Sequence, residues 1–401
     1  MVPAGGVPIR SWRNAVFVVF ALNGVALASW TSRTPTVRDG LHASTTQMGL
    51  IIFGLAAGSV VGLTASSHLI ARIGGRTAIR ISLLGAAAGL AVVGLAVTAS
   101  SQLLTVGGLL LFGLGYGLCD VAMNLEGAAM ERVRERTLLP IFHAVFSLGT
   151  LIGAGVGTLA ETVDTPLLAH LTLVAVVIAV SALALARYIP AHSDRQHPHD
   201  DRGQAPVTAR ERFAVWHERR TLLLGVVVLG LAFAEGSAND WLALAMVDGH
   251  HVANNIGALA LGVFVAAMTI GRVAGVKVVD AVGRVPVLRV SAALAVAGLA
   301  VMIYIPSVWL AMAGVALWGL GAALGFPVGL SAAADEPRLA AARVSAVSIM
   351  GYIAFLAGPP ALGLLGDRIG LLYSLNAVIV LVVVSGFAAG AARPIDRARN
   401  R

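Results

Sequence analysis

Twelve apolar segments of about twenty residues, separated by short polar breaks, constrain this chain more than any other feature. A helix of that length crosses the roughly 30 Å hydrocarbon layer of a membrane, and in lipid it satisfies its own backbone hydrogen bonds. The strands of a membrane barrel would instead alternate polar and apolar residues in shorter segments. The sequence therefore predicts an all-α membrane protein with twelve transmembrane helices, at positions 13–32, 47–70, 79–99, 102–126, 139–160, 167–187, 220–242, 254–275, 286–305, 308–331, 343–365 and 371–393.

The composition agrees with a membrane protein and leaves few candidates for chemistry. Hydrophobic residues make up 58% of the chain and charged residues 12%, whereas soluble proteins have about 45–50% and about 25%. The single cysteine, Cys119, excludes a disulfide framework. We find no nucleophile–base pair or metal-ligand cluster within the apolar segments, so we do not expect an enzyme, a metal or a bound cofactor.

The positions of the basic residues predict the orientation in the membrane. With the amino terminus inside, all but three of the 28 basic residues lie on the inner side, Arg272 counted among them. The exceptions are Arg33, Arg38 and Arg368. The formal charge of +8 is then a topology signal, and no nucleic-acid partner is expected. We predict a multi-pass protein of the bacterial inner membrane, a monomer, with both termini in the cytoplasm.

An internal repeat divides the chain into two halves. Residues 111–115 read Leu-Phe-Gly-Leu-Gly, and residues 317–321 read Leu-Trp-Gly-Leu-Gly, 206 positions later (111 against 317). We predict a six-helix half over residues 1–187, a cytoplasmic linker over 188–219 and a second six-helix half over 220–401. Two parallel repeats of this kind are typical of secondary transporters, in which the substrate site lies near the membrane midplane. The linker histidines His192, His197 and His199 are interpreted as solvated side chains rather than metal ligands.

Asp120 and Asn124 stand out in the fourth segment. They are one helical turn apart, so they share a face. A carboxylate at membrane depth costs several kcal/mol and marks a functional site by default. We interpret the pair as a substrate-binding or proton-coupling site. The structural alternative is a hydrogen bond between helices or a partner for an arginine.

The seventh segment carries a second polar group, formed by Glu235, Asn239, Asp240 and Trp241. Two acids and an amide suit proton binding or the recognition of hydroxyl groups, and an indole offers a stacking surface for a sugar ring or a cation. Alternatively, Asp240 ends the helix and Trp241 anchors it at the membrane interface.

Polar residues in the first and fifth segments complete the set of candidates. Asn23 and Trp30 share a face of the first segment, and Arg33 follows them. Arg33 is expected either to pair with an acid of the seventh segment or to lie at the interface. His143, at the inner start of the fifth segment, is expected to relay protons or to hydrogen-bond across helices.

Two inner loops resemble the major facilitator signature G-x-x-x-D-R-x-G-R-R. The loop between the second and third segments contains Arg72 and Arg76, but Ala71 stands at the acidic position. The matching loop of the second half keeps Asp280 and Arg284. A carboxylate beside arginines can latch neighbouring helix ends in one conformation, so these four charged residues are candidate cytoplasmic gate residues. The alternative is a positive-inside charge signal with turn glycines.

Several short motifs together are similar to a group of bacterial major facilitator proteins related to the fucose:proton symporters. They lie at residues 120–124, 142–144, 234–236, 240–241, 351–352 and 358–360. The resemblance implies a rocking cycle and proton-coupled transport of a sugar or similar polar metabolite, driven by the proton gradient. In those symporters acids in the first and fourth spans serve sugar binding and coupling; here Asp120 takes the second role, and Asn23 replaces the acid in the first span. The alternative is a proton-coupled exporter of drugs or metabolites. The antiport-type Gly-Pro motif is missing from the fifth segment, which reads Gly153-Ala154-Gly155, but Gly358-Pro359 in the eleventh segment leaves this alternative open.

Overall fold

The computed structural model describes residues 7–134, 138–190 and 208–394, and every regular element within them is a helix. In chain order, the first eight α-helices are α1 (Ile9–Thr31), α2 (Thr34–Leu41), α3 (Thr45–Ile73), α4 (Gly75–Thr98), α5 (Gln102–Arg134), α6 (Leu139–Thr162), α7 (Leu167–Leu185) and the short α8 (Ala209–Ala214). They are followed by α9 (Arg219–His250), α10 (Asn254–Val282), α11 (Arg284–Tyr304), α12 (Val308–Ala322), α13 (Gly325–Ala333), α14 (Ala340–Ile369), α15 (Leu371–Ser374) and α16 (Asn376–Ala388). Twelve helical segments are long and apolar enough to cross a membrane, which confirms the predicted all-α membrane fold.

Several helices extend well beyond the apolar segments that predicted them. α5 continues to Arg134 and has 33 residues, or about 50 Å. α9 continues to His250 rather than ending near residue 242, and α10 continues to Val282. Hydropathy identifies only the apolar part of a helix. The helical hydrogen bonding of the backbone continues beyond that part wherever the local residues permit it. The interpretation that Asp240 ends a helix was therefore wrong.

The tenth span is interrupted in its middle. α12 ends at Ala322 and α13 begins at Gly325, with a turn between them. Pro327 has no backbone N–H, so it cannot donate to the carbonyl oxygen of Ala323, four residues earlier. The sequence prediction had a continuous helix here. The interruption leaves a backbone acceptor at membrane depth that needs another donor.

Contacts divide the chain into two compact units. The first contains Met1–Asp200, Ala243–Val247 and His251–Gly262, and the second contains Asp201–Leu242, Asp248–His250 and Val263–Arg401. The predicted halves and linker stay a prediction. The linker histidines His192, His197 and His199 lie outside the described residues.

Small residues bring the helices of the first unit into close backbone contact. Along α3, Gly58 faces α5 so closely that a Cβ atom there would lie 2.1 Å from the carbonyl oxygen of Leu110. Gly113 of α5 faces back, and a Cβ atom on it would lie 2.1 Å from the carbonyl oxygen of Leu55. Small residues allow this approach in membrane proteins, where van der Waals packing replaces the hydrophobic effect as the driving force. The α3–α5 interface thus fixes α5, which carries Asp120.

The last part of the predicted linker is docked on the second unit by ion pairs. Thr208 and Glu211 form a reciprocal cap at the start of α8, and Glu211 also pairs with Arg338. Glu218 accepts hydrogen bonds from both Nε (2.6 Å) and Nη2 (3.0 Å) of Arg343. These bonds hold the pKa of the Glu218 carboxyl below its ordinary range. Their contribution to stability is present at neutral pH and is lost as the pH falls below about 4.3.

Replacing Gly58 by alanine is expected to force α3 and α5 apart and to lower the free energy of unfolding by about 1–3 kcal/mol. Gly107→Ala on α5 is the matched control, because a Cβ atom there meets nothing within 4 Å. The control should leave stability unchanged or raise it by up to about 1 kcal/mol through helix propensity. Thermal unfolding of the purified variants measures both effects. Equal midpoints for the two variants would contradict the proposed close packing.

Candidate functional site

A row of hydrogen-bonded polar side chains joins α5 and α6 in the first unit. Asn124 donates from Nδ2 to the carbonyl oxygen of Asp120 at 2.8 Å and lies 3.4 Å from its Oδ1 atom. The Oδ1 atom of Asn124 lies 3.0 Å from Nε2 of His143. Because an amide oxygen only accepts, this contact requires the proton on Nε2. The structure thus adds His143, which the sequence had singled out separately, to the predicted pair of Asp120 and Asn124.

The corner between α5 and α6 holds His143 in place. The Glu131 carboxylate accepts hydrogen bonds from the backbone N–H groups of Leu138 (2.6 Å) and Leu139 (2.8 Å) at the start of α6. A carboxylate at a helix N-terminus satisfies unpaired donors and interacts favourably with the helix dipole. The imidazole of His143 also packs edge-on against Phe20 of α1, with ring centroids 5.4 Å apart.

Asn23 and Trp30 of α1 are completely buried. Neither side-chain polar atom of Asn23, nor Nε1 of Trp30, has a hydrogen-bond partner among the residues that the structure describes. A buried polar group without a partner costs about 1–3 kcal/mol and is uncommon in native proteins. Both residues therefore stay candidates for contact with a polar solute.

Arg33 pairs with an acid that the sequence analysis did not single out. Its Nε atom lies 2.7 Å from Oε1 of Glu161 at the end of α6, and its Nη2 atom donates to the carbonyl oxygen of Thr165 at 2.9 Å. Thr36 also donates to Glu161. Burial lowers the pKa of the Arg33 guanidinium, and the Glu161 carboxylate partly offsets that shift. The expected pairing of Arg33 with an acid of the seventh segment was therefore wrong, because its partner is Glu161.

Glu126 is a further buried acid of α5. It is 2% exposed and accepts a hydrogen bond of 2.9 Å from Nε1 of Trp12 in α1. Its carboxylate also lies against Gly75, the first residue of α4, where an added Cβ atom would come within 2.3 Å of Oε1. Glu126 of α5 therefore contacts both α1 and the start of α4 in the first unit.

In the second unit, Glu235 of α9 forms an ion pair with Arg272 of α10. Nη2 of Arg272 lies 2.7 Å from Oε1 of Glu235. Arg272 had been counted among the inner basic residues, but α10 continues for about ten residues, or about 15 Å, beyond it. Hydropathy and charge counting missed this pair, since neither shows which acid an arginine faces.

The other polar residues of α9 lie within the helix and not at its end. Asn239 and Asp240 are half-buried, and Trp241 is fully buried. Complete burial favours packing inside the protein over an interfacial anchor for Trp241. Ser237 is also buried, and neither its hydroxyl nor Nε1 of Trp241 has a partner among the described side chains and backbone.

In the second unit, the candidate gate residue Arg284 pairs with a different acid from the predicted Asp280. Arg284 pairs with Asp335 at 2.7 Å, and Arg220 pairs with the other oxygen of the same carboxylate at 2.8 Å. Asp280, the predicted acid, is exposed and forms no ion pair with the described residues. The acid of this latch is therefore Asp335, which lies just after α13 and becomes adjacent to Arg284 only in the folded unit.

The arginines of the first-half loop have no acid partner among the described residues. Arg72 is exposed, and Arg76 donates from Nε to the carbonyl oxygen of Ile189 at 2.5 Å. This bond connects the start of α4 to the segment that follows α7. Ala71 stands at the acidic position of the signature and offers no carboxylate to these arginines. The acceptor for Arg76 is instead the backbone carbonyl oxygen of Ile189.

Within the described residues, no group of three or more His, Cys, Asp or Glu side chains is placed to hold a metal ion.

The twelve helices and their intramembrane polar groups define a polytopic membrane transporter, and comparison with known proteins identifies its family. The family model of the Major Facilitator Superfamily matches residues 3–138 and 137–359. The chain belongs to this superfamily.

Individual relatives are similar over nearly their full length. The chain is 29% identical over 390 residues to an uncharacterized transporter, y4wD, of Sinorhizobium fredii, covering 94% of this chain and 98% of that protein. It is 27% identical over 408 residues to the membrane protein MosC of Rhizobium meliloti, covering 100% and 95%.

Solved structures show the same fold at low sequence identity. A variant of the nucleoside transporter NupG superposes with a TM-score of 0.77 at 14% identity, over 95% of this chain and 99% of that one. The E. coli fucose:proton symporter superposes with a TM-score of 0.59 at 16% identity, over 95% and 100%. These structures confirm the predicted fold.

Asp335→Asn is expected to weaken the pairs with Arg220 and Arg284 and to lower the free energy of unfolding by about 1.5–3 kcal/mol, as for hydrogen bonds to charged groups. Asp280→Asn is the matched control and should change stability by less than about 0.5 kcal/mol, because that carboxylate is exposed. Thermal unfolding of both purified variants provides the measurement. A larger loss for Asp280→Asn would restore the original gate prediction.

Proposed function

We propose that this transporter couples the movement of a small polar solute to a proton gradient, as a symporter. The observation that carries the proposal is the row formed by Asp120, Asn124 and His143. It contains a carboxylic acid, an amide and an imidazole in hydrogen-bonding sequence within the spans of one unit. Such rows are suited to binding and releasing a proton at membrane depth.

Asp120 is the residue that would carry the proton. In a span the charged carboxylate is more costly than the neutral acid, so solute binding and proton binding favour each other when both occur in the same conformation. His143 is exposed and could exchange a proton with water, while Asn124 holds the orientation of both neighbours. Alternating access then moves proton and solute together.

The relatives support transport of a polar solute without defining it. One solved structure with this fold is described as a nucleoside transporter and another as a fucose:proton symporter. The buried amide of Asn23 in α1 and the polar residues of α9 are the side chains here that suit recognition of hydroxyl groups. We propose a sugar or similar metabolite as the solute class, with no bound cofactor.

Export by proton antiport is the second candidate. Pro359 and Pro360 lie inside α14, directly after Gly358. A proline within a span bends or weakens the helix, and the Gly-Pro pair is the feature that favours this candidate. Transport assays in oriented vesicles separate the two directions, since a symporter accumulates solute with an inward proton gradient and an antiporter expels it.

Asp120→Asn is expected to abolish proton-driven accumulation of solute in proteoliposomes while retaining exchange of solute without a gradient, because the amide cannot bind a proton. Solutes for the assay come from a thermal-shift screen of sugars, sugar acids and nucleosides. Asp39→Asn is the control, since Asp39 lies outside the spans with a side chain that is 53% exposed. Normal accumulation by Asp120→Asn would make Asp120 a structural residue.

We further propose that the chain is a monomer of the bacterial inner membrane. Both of its termini lie in the cytoplasm in this proposal, which is the orientation that the basic residues indicate. A fluorescent protein fused after the carboxyl terminus should fluoresce, and alkaline phosphatase fused there should be inactive. Fusions at residues 251–253, between α9 and α10, should give the opposite result. Active phosphatase at the carboxyl terminus would reverse the predicted orientation.

A further inference from the structure

We propose that Arg272 and the interruption of the tenth span form an anion site that takes the carboxylate of a small hydroxylated acid. In this arrangement Glu235 holds the guanidinium while no anion is bound. This inference rests on the proposed function as a solute transporter and narrows the class of solute.

The position of Arg272 is unusual for a basic residue that serves only as a topology signal. It lies within a helix that is long and apolar enough to cross a membrane, about three turns before the end of α10. An ionisable side chain within such a span is expensive unless it lines a polar path or binds a partner. Its ion pair with Glu235 satisfies one edge of the guanidinium only.

The interruption between α12 and α13 gives Arg272 a second partner. Nε of Arg272 donates to the carbonyl oxygen of Ala323 at 3.3 Å. This carbonyl is the one that Pro327 leaves without a helical donor. Irregular backbone at membrane depth is tolerated where it lines a cavity or is buried in protein, and in transporters it commonly lies at substrate sites.

Two glycines bring α10 close to the interruption. A Cβ atom on Gly271 would lie 2.7 Å from Cβ of Ala323, and one on Gly275 would lie 2.5 Å from the side chain of Leu324. These glycines flank Arg272 on either side along the helix. The sequence thus places the guanidinium against the broken span, where a larger residue at either position would hold it away.

The guanidinium has donor capacity left for a ligand. Nε and Nη2 are used, but Nη1 has no hydrogen-bond partner among the described residues. The Arg272 side chain is 31% exposed, whereas that of Glu235 is 16% exposed. The guanidinium is therefore the more accessible member of the pair.

The chemistry of this group favours a carboxylate over a neutral solute. The planar fork of an arginine binds carboxylates through two parallel hydrogen bonds, and these charge-assisted bonds are about twice as strong as neutral ones. Asn239 lies one turn beyond Glu235 on the same face of α9 and is half-buried. Its amide would suit hydroxyl groups on the body of the same solute.

Glu235 competes with the ligand for Arg272 in this arrangement. An incoming carboxylate must share the guanidinium with Glu235 or displace it, and like charges side by side are unfavourable. Glu235→Gln removes the competing charge and should strengthen binding of the anion. Arg272→Gln removes the guanidinium and should abolish binding of the anion. A purely structural ion pair would not produce opposite effects of the two variants on one ligand.

The test uses the full-length protein, purified in detergent, and thermal unfolding midpoints at fixed pH and ionic strength. The probes are matched pairs of an acid and its neutral counterpart: D-glucuronate with D-glucose, D-gluconate with sorbitol, and L-lactate with 1,2-propanediol. Arg289→Gln is the control for loss of positive charge, because Arg289 is an exposed arginine of the same unit.

We expect at least one of the acids to stabilise the wild type, and to do so at roughly tenfold lower concentration in Glu235→Gln, a difference of about 1.4 kcal/mol. The stabilisation should disappear in Arg272→Gln and persist in Arg289→Gln, while the neutral counterparts have little effect. Should Arg272→Gln fail to fold, Arg272→Lys keeps the charge without the fork, and the acid should then bind at least tenfold more weakly than to the wild type.

Three results would overturn the inference: neutral probes as effective as their acids, an arginine variant that binds the acid like the wild type, or no acid that stabilises Glu235→Gln. The proposed coupling is tested separately by Asp120→Asn. Acid binding without proton-driven accumulation would refute the coupling alone, and accumulation of neutral solutes only would refute the anion site alone.

Discussion

The interior of a membrane offers no hydrogen-bond partners, so the backbone groups of the spans must be satisfied within the protein. This constraint explains why every regular element of the described residues is a helix. It also explains the contacts of a backbone acceptor that has no hydrogen-bond donor within its own helix. The carbonyl oxygen of Ala323, which Pro327 deprives of a donor, is bound by Arg272, and the charge of Arg272 is in turn balanced by Glu235.

The two units satisfy the same constraint with different chemistry. In the first unit, an acid, an amide and an imidazole form the row of Asp120, Asn124 and His143. In the second, an acid and a guanidinium form an ion pair beside a broken helix. A row of groups that can lose and gain protons suits coupling, whereas an arginine with open donors suits an anion. The two proposals therefore rest on separate parts of the chain.

Close packing of the helices is what positions these groups. Glycines such as Gly58 and Gly113 bring α3 and α5 into backbone contact, and Gly271 and Gly275 bring α10 against the interruption of the tenth span. The contact of 3.3 Å between Nε of Arg272 and the carbonyl oxygen of Ala323 depends on the close approach that Gly271 and Gly275 permit. The packing of the helices thus determines which polar groups lie close enough to interact.

The candidate site was predicted from sequence where a residue's position in its own helix is informative. Asp120 and Asn124 were paired correctly because one helical turn separates them. The partners of Arg33 and Arg284 were not predicted, since Glu161 and Asp335 are distant in sequence and resemble ordinary helix-end residues. The partner of Arg272, which is Glu235 of α9, was not predicted either, because counting charges cannot show which acid an arginine faces.

The class of fold, the number of spans and the family could all be predicted from the sequence alone. Each of these depends on the lengths of apolar runs and on short local motifs. Because a lipid bilayer requires such patterns, they can be recognised directly in the amino-acid sequence. Which charges pair, and which side chains are buried without partners, became known only from the folded molecule. Those features depend on distances between helices that are remote in the chain, and such distances follow from packing rather than from any local pattern.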